Sequence, residues 1–345
     1  MPGYFYLFKI LIISISLVLV SCAQAPKISE QEQNLRWPPE SNIAYIQYVQ
    51  EFSRPTDLGI EKSAWTRIMD FFSGEVNQQI VRPMDIVVDE NDVIYVVDPG
   101  ISGVHRFDRK NKTYKILRLK DDKPLPSPVA ISLGPDHRIY VSDSQLGKVF
   151  TYTPTDEFLS AMKMDIHLYQ PTGLAYDKKL DRLYISDTFM HRIISISSNG
   201  TFIAEYGSRG AGKLEFNYPT YIYVDTQHRL YVTDSLNFRI QILSQHGELV
   251  SMFGELGDAT GNMARPKGVT TDSDGNIYIV DGLFNSIQIF DRKGQLLMPV
   301  GDRGTDIGQF WLPTGIHIDT NDYIYIADSH NQRVQIMHYL RKKPK

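Results

Sequence analysis

Residues 313–328 read PTGIHIDTNDYIYIAD, and the same pattern occurs five more times upstream. The earlier copies are PMDIVVDENDVIYVVD, PVAISLGPDHRIYVSD, PTGLAYDKKLDRLYISD, PTYIYVDTQHRLYVTD and PKGVTTDSDGNIYIVD. They open at Pro83, Pro128, Pro171, Pro219 and Pro266, as the last opens at Pro313. Each runs through a β-branched stretch and a polar turn into a strand that ends on aspartate: Asp98, Asp143, Asp187, Asp234, Asp281 and Asp328. These aspartates are 45, 44, 47, 47 and 47 residues apart. A period near 45 with several short strands per unit specifies a propeller blade of four antiparallel strands. One blade cannot bury both its faces, but six stacked radially can. The expected fold class is therefore all-β, a six-bladed β-propeller of four-stranded antiparallel blades.

Outward from the repeats, the two ends look complementary. The sixth unit stops after its third strand, Val334 to Tyr339. A spare strand-like segment, Ile43 to Phe52 (IAYIQYVQEF), precedes the first unit. It is expected to complete the last blade, close the ring and leave no open edge there. The propeller then spans 43–340, with a solvated basic tail at 341–345. Between strand and first repeat, residues 60–73 (IEKSAWTRIMDFFS) have apolar residues at helical spacing, which predicts one short helix.

The N-terminal region reads differently. Ile10 to Val20 is an apolar run preceded by Lys9, too short to span a bilayer and suited to a signal-peptide core over 1–21. Leu19-Val20-Ser21-Cys22 resembles a bacterial lipobox, which implies lipidation of Cys22. Residues 22–42 are polar and proline-containing, and read as a tether. With Ala23 rather than Asp directly after Cys22, the signal resembles the sorting default for the outer membrane, facing the periplasm. Cys22 is the only cysteine, so an internal disulfide is excluded. The chain is 42% hydrophobic with a net charge of −4, a globular composition with no electrostatic case for nucleic acid.

The loop after each closing aspartate resembles the NHL repeat, and the resemblance covers 83–337. The sixth unit has Asp328-Ser329-His330-Asn331-Gln332-Arg333-Val334 and the fourth Asp234-Ser235-Leu236-Asn237-Phe238-Arg239-Ile240. The third keeps Asp187, Arg192 and Ile193 with Met190 in place of Asn; the second has Lys148 for Arg. The first and fifth carry Gly103 and Ser286 there and are degenerate. Together with the lipobox and WPPE at 37–40, the chain looks like a bacterial NHL lipoprotein. An Asp at a strand end can accept backbone N–H groups, and an Arg five residues later can pair with it. The six aspartates, with Arg192, Arg239 and Arg333, are therefore read as blade staples rather than catalysts.

In an NHL blade these loops surround the upper mouth of the central channel. The resemblance thus offers Phe189, Met190, His191, Leu236, Phe238, Phe284 and His330 as a partner-binding face. The inter-blade residues Arg209, Phe216, Arg303, Phe310 and Trp311 adjoin it. A zinc-dependent amidating lyase of propeller type implies His after the opening prolines, where this chain has Met84, Val129, Thr172, Thr220, Lys267 and Thr314. A lactonase implies a Glu, Asn and Asp cage, and only Asp85 matches. No Gly-x-Ser-x-Gly elbow occurs. The expectation is a monomeric, non-catalytic scaffold in the cell envelope without cofactor or metal, binding a protein, peptide or glycan. A metal-dependent lyase or hydrolase is the alternative.

Overall fold

The structure, a computed structural model, describes residues 35–39, 45–61, 78–153, 155 and 157–341. The expected signal peptide, Cys22, most of the tether, the helix beyond Glu61 and the tail beyond Arg341 lie outside these residues. Among the described residues no helix is long and apolar enough to cross a membrane.

Six antiparallel sheets make six blades. Blade 1 comprises Asp85–Val88, Val93–Asp98, Gly103–Asp108 and Thr113–Leu117. Blade 4 comprises Pro219–Val224, Leu230–Asp234, Arg239–Leu243 and Leu249–Phe253, and blades 2, 3 and 5 repeat the plan. Blade 6 contains Ile316–Ile318, Tyr323–Asp328 and Arg333–Tyr339. Its next strand is Ile46–Phe52, antiparallel to Arg333–Tyr339 with Ile46 opposite Tyr339 and Phe52 opposite Val334. Arg36–Trp37, inside the stretch read as tether, adds a fifth strand against Ile46 and Gln47. The first strands follow one another round a ring, and that of blade 6 returns against that of blade 1.

The core is divided into six clusters, each between neighbouring blades. Val97, Val104 and Leu117 of blade 1 meet Ile131, Val141 and Tyr152 of blade 2, for example. Second strands are buried along all but their first residue at most, because a blade covers each of their faces. Fourth strands such as Leu249–Phe253 alternate between half-buried and exposed, as expected of strands solvated on one side. The tyrosine of each Ile/Leu-Tyr strand fills an inter-blade gap: Tyr95, Tyr140, Tyr184, Tyr231, Tyr278 and Tyr325 are all buried. Burying such a ring contributes on the order of 2 kcal/mol.

In blades 2 to 5 the opening proline begins the first strand beside a register shift, as between Pro219 and Ile222. Proline has no N–H for the ladder, so the pairing resumes only beyond the bulge. Two residues on, Gly173 sits so close to the next blade that a Cβ would fall 2.2 Å from Thr220 O. Gly315 likewise lies against Met84 O and the Asp85 backbone. These contacts set how tightly the first strands draw round the axis.

Candidate functional site

All six closing aspartates are fully buried, and all accept backbone N–H groups from the loop that enters their own blade. Val81 and Arg82 donate to Asp98, Ser127 to Asp143, Tyr169 and Gln170 to Asp187, Asn217 to Asp234, Ala264 and Arg265 to Asp281, and Trp311 to Asp328. The carboxylates thus tie the end of each second strand to the incoming loop. Their remaining capacity is used in two ways. In blades 1, 2 and 5 it caps the following turn, through Gly100 N, through Gln145 and Leu146 N, and through Leu283 and Phe284 N. In blades 3, 4 and 6 it takes a guanidinium, from Arg192, Arg239 or Arg333.

The arginines of blades 4 and 6 reach beyond the aspartate. Arg239 donates to the carbonyls of Ala211, Gly212 and Glu215, and Arg333 to those of Thr305, Asp306 and Gln309. Arg333 also pairs with Glu51 at 2.7 Å. A glutamine two residues later, not singled out from the sequence, does similar work in three blades. Gln241 binds Leu214 N and Glu215 O, Gln288 binds Gly261 N and Asn262 O, and Gln335 binds Gly308 N and Gln309 O. Its signal was present in RIQ, SIQ and RVQ, spaced by 47 residues. In blade 1 the equivalent is His105, buried between Asp98 Oδ2 and Tyr114 OH. Burial alone would raise the Asp98 carboxyl, but the His105 ring and the Val81 and Arg82 amides hold it below the usual carboxylate range.

Around these ties large apolar side chains are exposed at the rim of five blades. They are Leu146 (39% exposed), Phe189 (57%), Leu236 (50%), Leu283 (59%) and Trp311 (40%). Met190 is exposed beside Phe189, and His330 lies 5.5 Å from the Trp311 ring. Arg209 and Arg303 are also exposed, on equivalent inter-blade loops. Other expected surface residues lie elsewhere. His191 is buried in a left-handed conformation, its Nδ1 accepting the Tyr218 amide, rather than standing exposed on the expected partner-binding face. Asn285 does the same for Leu312 in blade 5, so this position binds the next blade. Phe238 is half-buried in the cluster between blades 4 and 5, and Phe284 is half-buried. Phe216 and Phe310 are fully buried under Gly207 and Gly301, so neither belongs to the surface.

The axis is crossed by Tyr221, whose hydroxyl donates to Met84 O of the opposite blade at 2.9 Å. Ala130, Gly173, Gly268 and Gly315 at the equivalent positions leave room for the ring. Next to it, Asp85 accepts the Ile131 amide. Asp85 keeps some surface toward the channel, but protein surrounds it, and that burial pushes its carboxyl up to about 7. Burial and the Asp85 charge raise the Tyr221 phenol. Further along, burial pushes His317 down to about 4. Among the described residues no group of three or more His, Cys, Asp or Glu side chains could hold a metal ion.

Six repeated blades with an aspartate tie at each loop define an NHL-type β-propeller. The Teneurin NHL domain family model matches residues 117–310, more than half of the chain, and an NHL repeat model matches 310–337. The chain belongs to this NHL family. No curated protein matches the sequence. Among solved structures, a catalytically inactive virginiamycin B lyase from Staphylococcus aureus with quinupristin is 14% identical, with a TM-score of 0.57 over 77% of this chain and 97% of that one. An auxiliary nutrient binding protein from Bacteroides ovatus is 15% identical, with a TM-score of 0.59 over 76% of this chain and 70% of that one. The nidogen/laminin complex gives 20% identity and a TM-score of 0.52 over 65% of this chain and 81% of that one. At these identities the likeness is one of fold.

Proposed function

We propose that this chain is a non-catalytic binding scaffold of the bacterial cell envelope, tethered through a lipid on Cys22. Its loop face engages a protein, peptide or glycan. The observation that carries the reading is the ring of exposed apolar tips at Leu146, Phe189, Leu236, Leu283 and Trp311, all on loops fixed by buried carboxylate ties. Exposed apolar clusters on a rigid frame mark binding surfaces. The buried aspartates are consumed by backbone amides, arginines and, in blade 1, a histidine, which leaves them no free carboxylate for catalysis. The nutrient-binding likeness from Bacteroides agrees with this reading. A second reading, a metal-dependent lyase, takes its support from the likeness to virginiamycin B lyase, and it needs a donor cluster.

The test is crosslinking capture from membranes with the wild type and a Phe189→Ser, Leu236→Ser, Leu283→Ser variant. These exposed changes should leave the melting temperature within about 2 °C. The variant should lose the captured partners. Unchanged capture would refute the face, and one tightly bound Zn²⁺ or Ca²⁺ per purified chain would favour the lyase.

A further inference from the structure

The residue after the opening proline is neutral in five blades: Met84, Val129, Thr172, Thr220 and Thr314. The threonines are engaged with neighbours. Thr172 Oγ1 lies 2.6 Å from Thr188 Oγ1, Thr220 Oγ1 lies 2.6 Å from Ser235 Oγ, and Thr314 Oγ1 donates to Pro83 O. In blade 5 the two hydroxyl positions hold Lys267 and Gly282 instead. A Cβ on Gly282 would stand 3.7 Å from Lys267 Cγ and 3.8 Å from Arg265 Cδ, so both basic stems pass over the bare glycine.

Neither the Lys267 ammonium nor the Arg265 guanidinium has a hydrogen-bond or ion-pair partner among the described residues. Asp281, the acid that acts on Lys267, is occupied by the amides of Ala264, Arg265, Leu283 and Phe284. Burial, reinforced by the Arg265 charge, pushes Lys267 down to about 8. The Arg265 charge also reaches Tyr221 on the axis, where Asp85 lies behind the phenol. Two cations without an ion-pair or hydrogen-bond contact, with only the already occupied Asp281 carboxylate acting on Lys267, therefore sit by a channel crossed by Tyr221, inside the ring of apolar tips.

We infer that Lys267 and Arg265 form a seat for a carboxylate carried on an apolar ligand, such as the free end of a peptide. This rests on reading the loop face as a binding surface. A guanidinium fork matches a planar carboxylate, and the ammonium adds a point charge. The apolar rim would take the ligand body.

The test uses the full chain at pH 7 with anilinonaphthalene sulfonate as a fluorescent apolar anion. The wild type should bind it. K267M and R265M should bind it at least about tenfold more weakly, while K293M, on an exposed outer turn, should not differ. G282S, which restores the hydroxyl of blades 4 and 6 beneath the two basic stems while keeping both cations in the chain, should also weaken binding. Hexanoate should displace the probe; hexanamide and inorganic phosphate at equal concentration should not. Binding to K267M within about twofold of wild type, or displacement by hexanamide or phosphate equal to that by hexanoate, overturns the assignment. Loss of membrane partners in the Phe189, Leu236, Leu283 variant, with the tenfold effect of K267M absent, would sink this seat and spare the face. Intact capture with that effect present would do the reverse.

Discussion

Blades 3, 4 and 6 and blades 1, 2 and 5 place the same aspartate in the same buried corner and use it differently. In the first set a guanidinium joins the carboxylate, and in blades 4 and 6 it gathers three carbonyls of the incoming loop. In the second set the carboxylate turns to its own loop and caps it. The invariant element is the tie between aspartate and incoming backbone; arginine is one of several ways of using what is left. A blade that lacks the arginine is therefore not a weakened copy. It has redirected the charge.

The largest effect expected from breaking this contrast is at Arg333. Arg333→Met removes the partner of a buried carboxylate, three carbonyl contacts and the pair to Glu51, while Asn331 and Gln335 still donate to Asp328. The cost should be about 3 kcal/mol, seen as a melting temperature lower by about 6–12 °C. Lys148→Met, at the same position in blade 2, should shift it by no more than about 2 °C, since Lys148 is exposed and Asp143 is satisfied by amides. Equal shifts would mean that the two sets are not distinct.

Gln288→Leu comes next. It leaves Gly261 N and Asn262 O without their partner in a blade whose closing aspartate has no arginine, at a cost of about 2 kcal/mol by chemical denaturation. A cost under about 0.5 kcal/mol would show that the glutamine clamp is dispensable.

The smallest effect depends on pH and concerns the channel in blade 1. Asp85 is raised in the folded chain, so the folded state favours its protonated form. Its contribution is complete below the ordinary carboxylate range and is lost as pH rises through about 7. Asp85→Asn removes that loss. The variant should melt a few degrees above wild type at pH 8.5, with the gap narrowing as pH falls through 7 and closing only below about pH 4, by differential scanning calorimetry in matched buffers. A gap that does not change with pH would show that Asp85 is ionised at no cost.

The blade plan was legible because its determinants are local and repeated: a proline that cannot join the ladder, a buried tyrosine and an aspartate at the strand end. The carboxylate role was legible in kind, but its donors were not. They lie 16 to 18 residues upstream, on loops of varied sequence. His191 looked like surface because it follows two exposed residues; only the next blade's Tyr218 buries it. Phe216 and Phe310 misled for the same reason, since burial under a glycine turn has no periodicity to read. The glutamine was visible as a recurrence and lacked a known meaning. Tyr221 across the axis could not be inferred, because its partner Met84 is 137 residues away.

The pairing of Ile46–Phe52 with Arg333–Tyr339 has a consequence for the chain as it is made. Glu51 waits 282 residues for Arg333. At about 5–20 residues per second that is on the order of 15–60 s, during which the edge of this seven-residue strand that faces Arg333–Tyr339 stays unpaired. An unpaired strand of this kind is a template for another chain. The growing polypeptide therefore carries an open strand edge through most of synthesis, and shielding that edge favours the finished form over pairing with another chain.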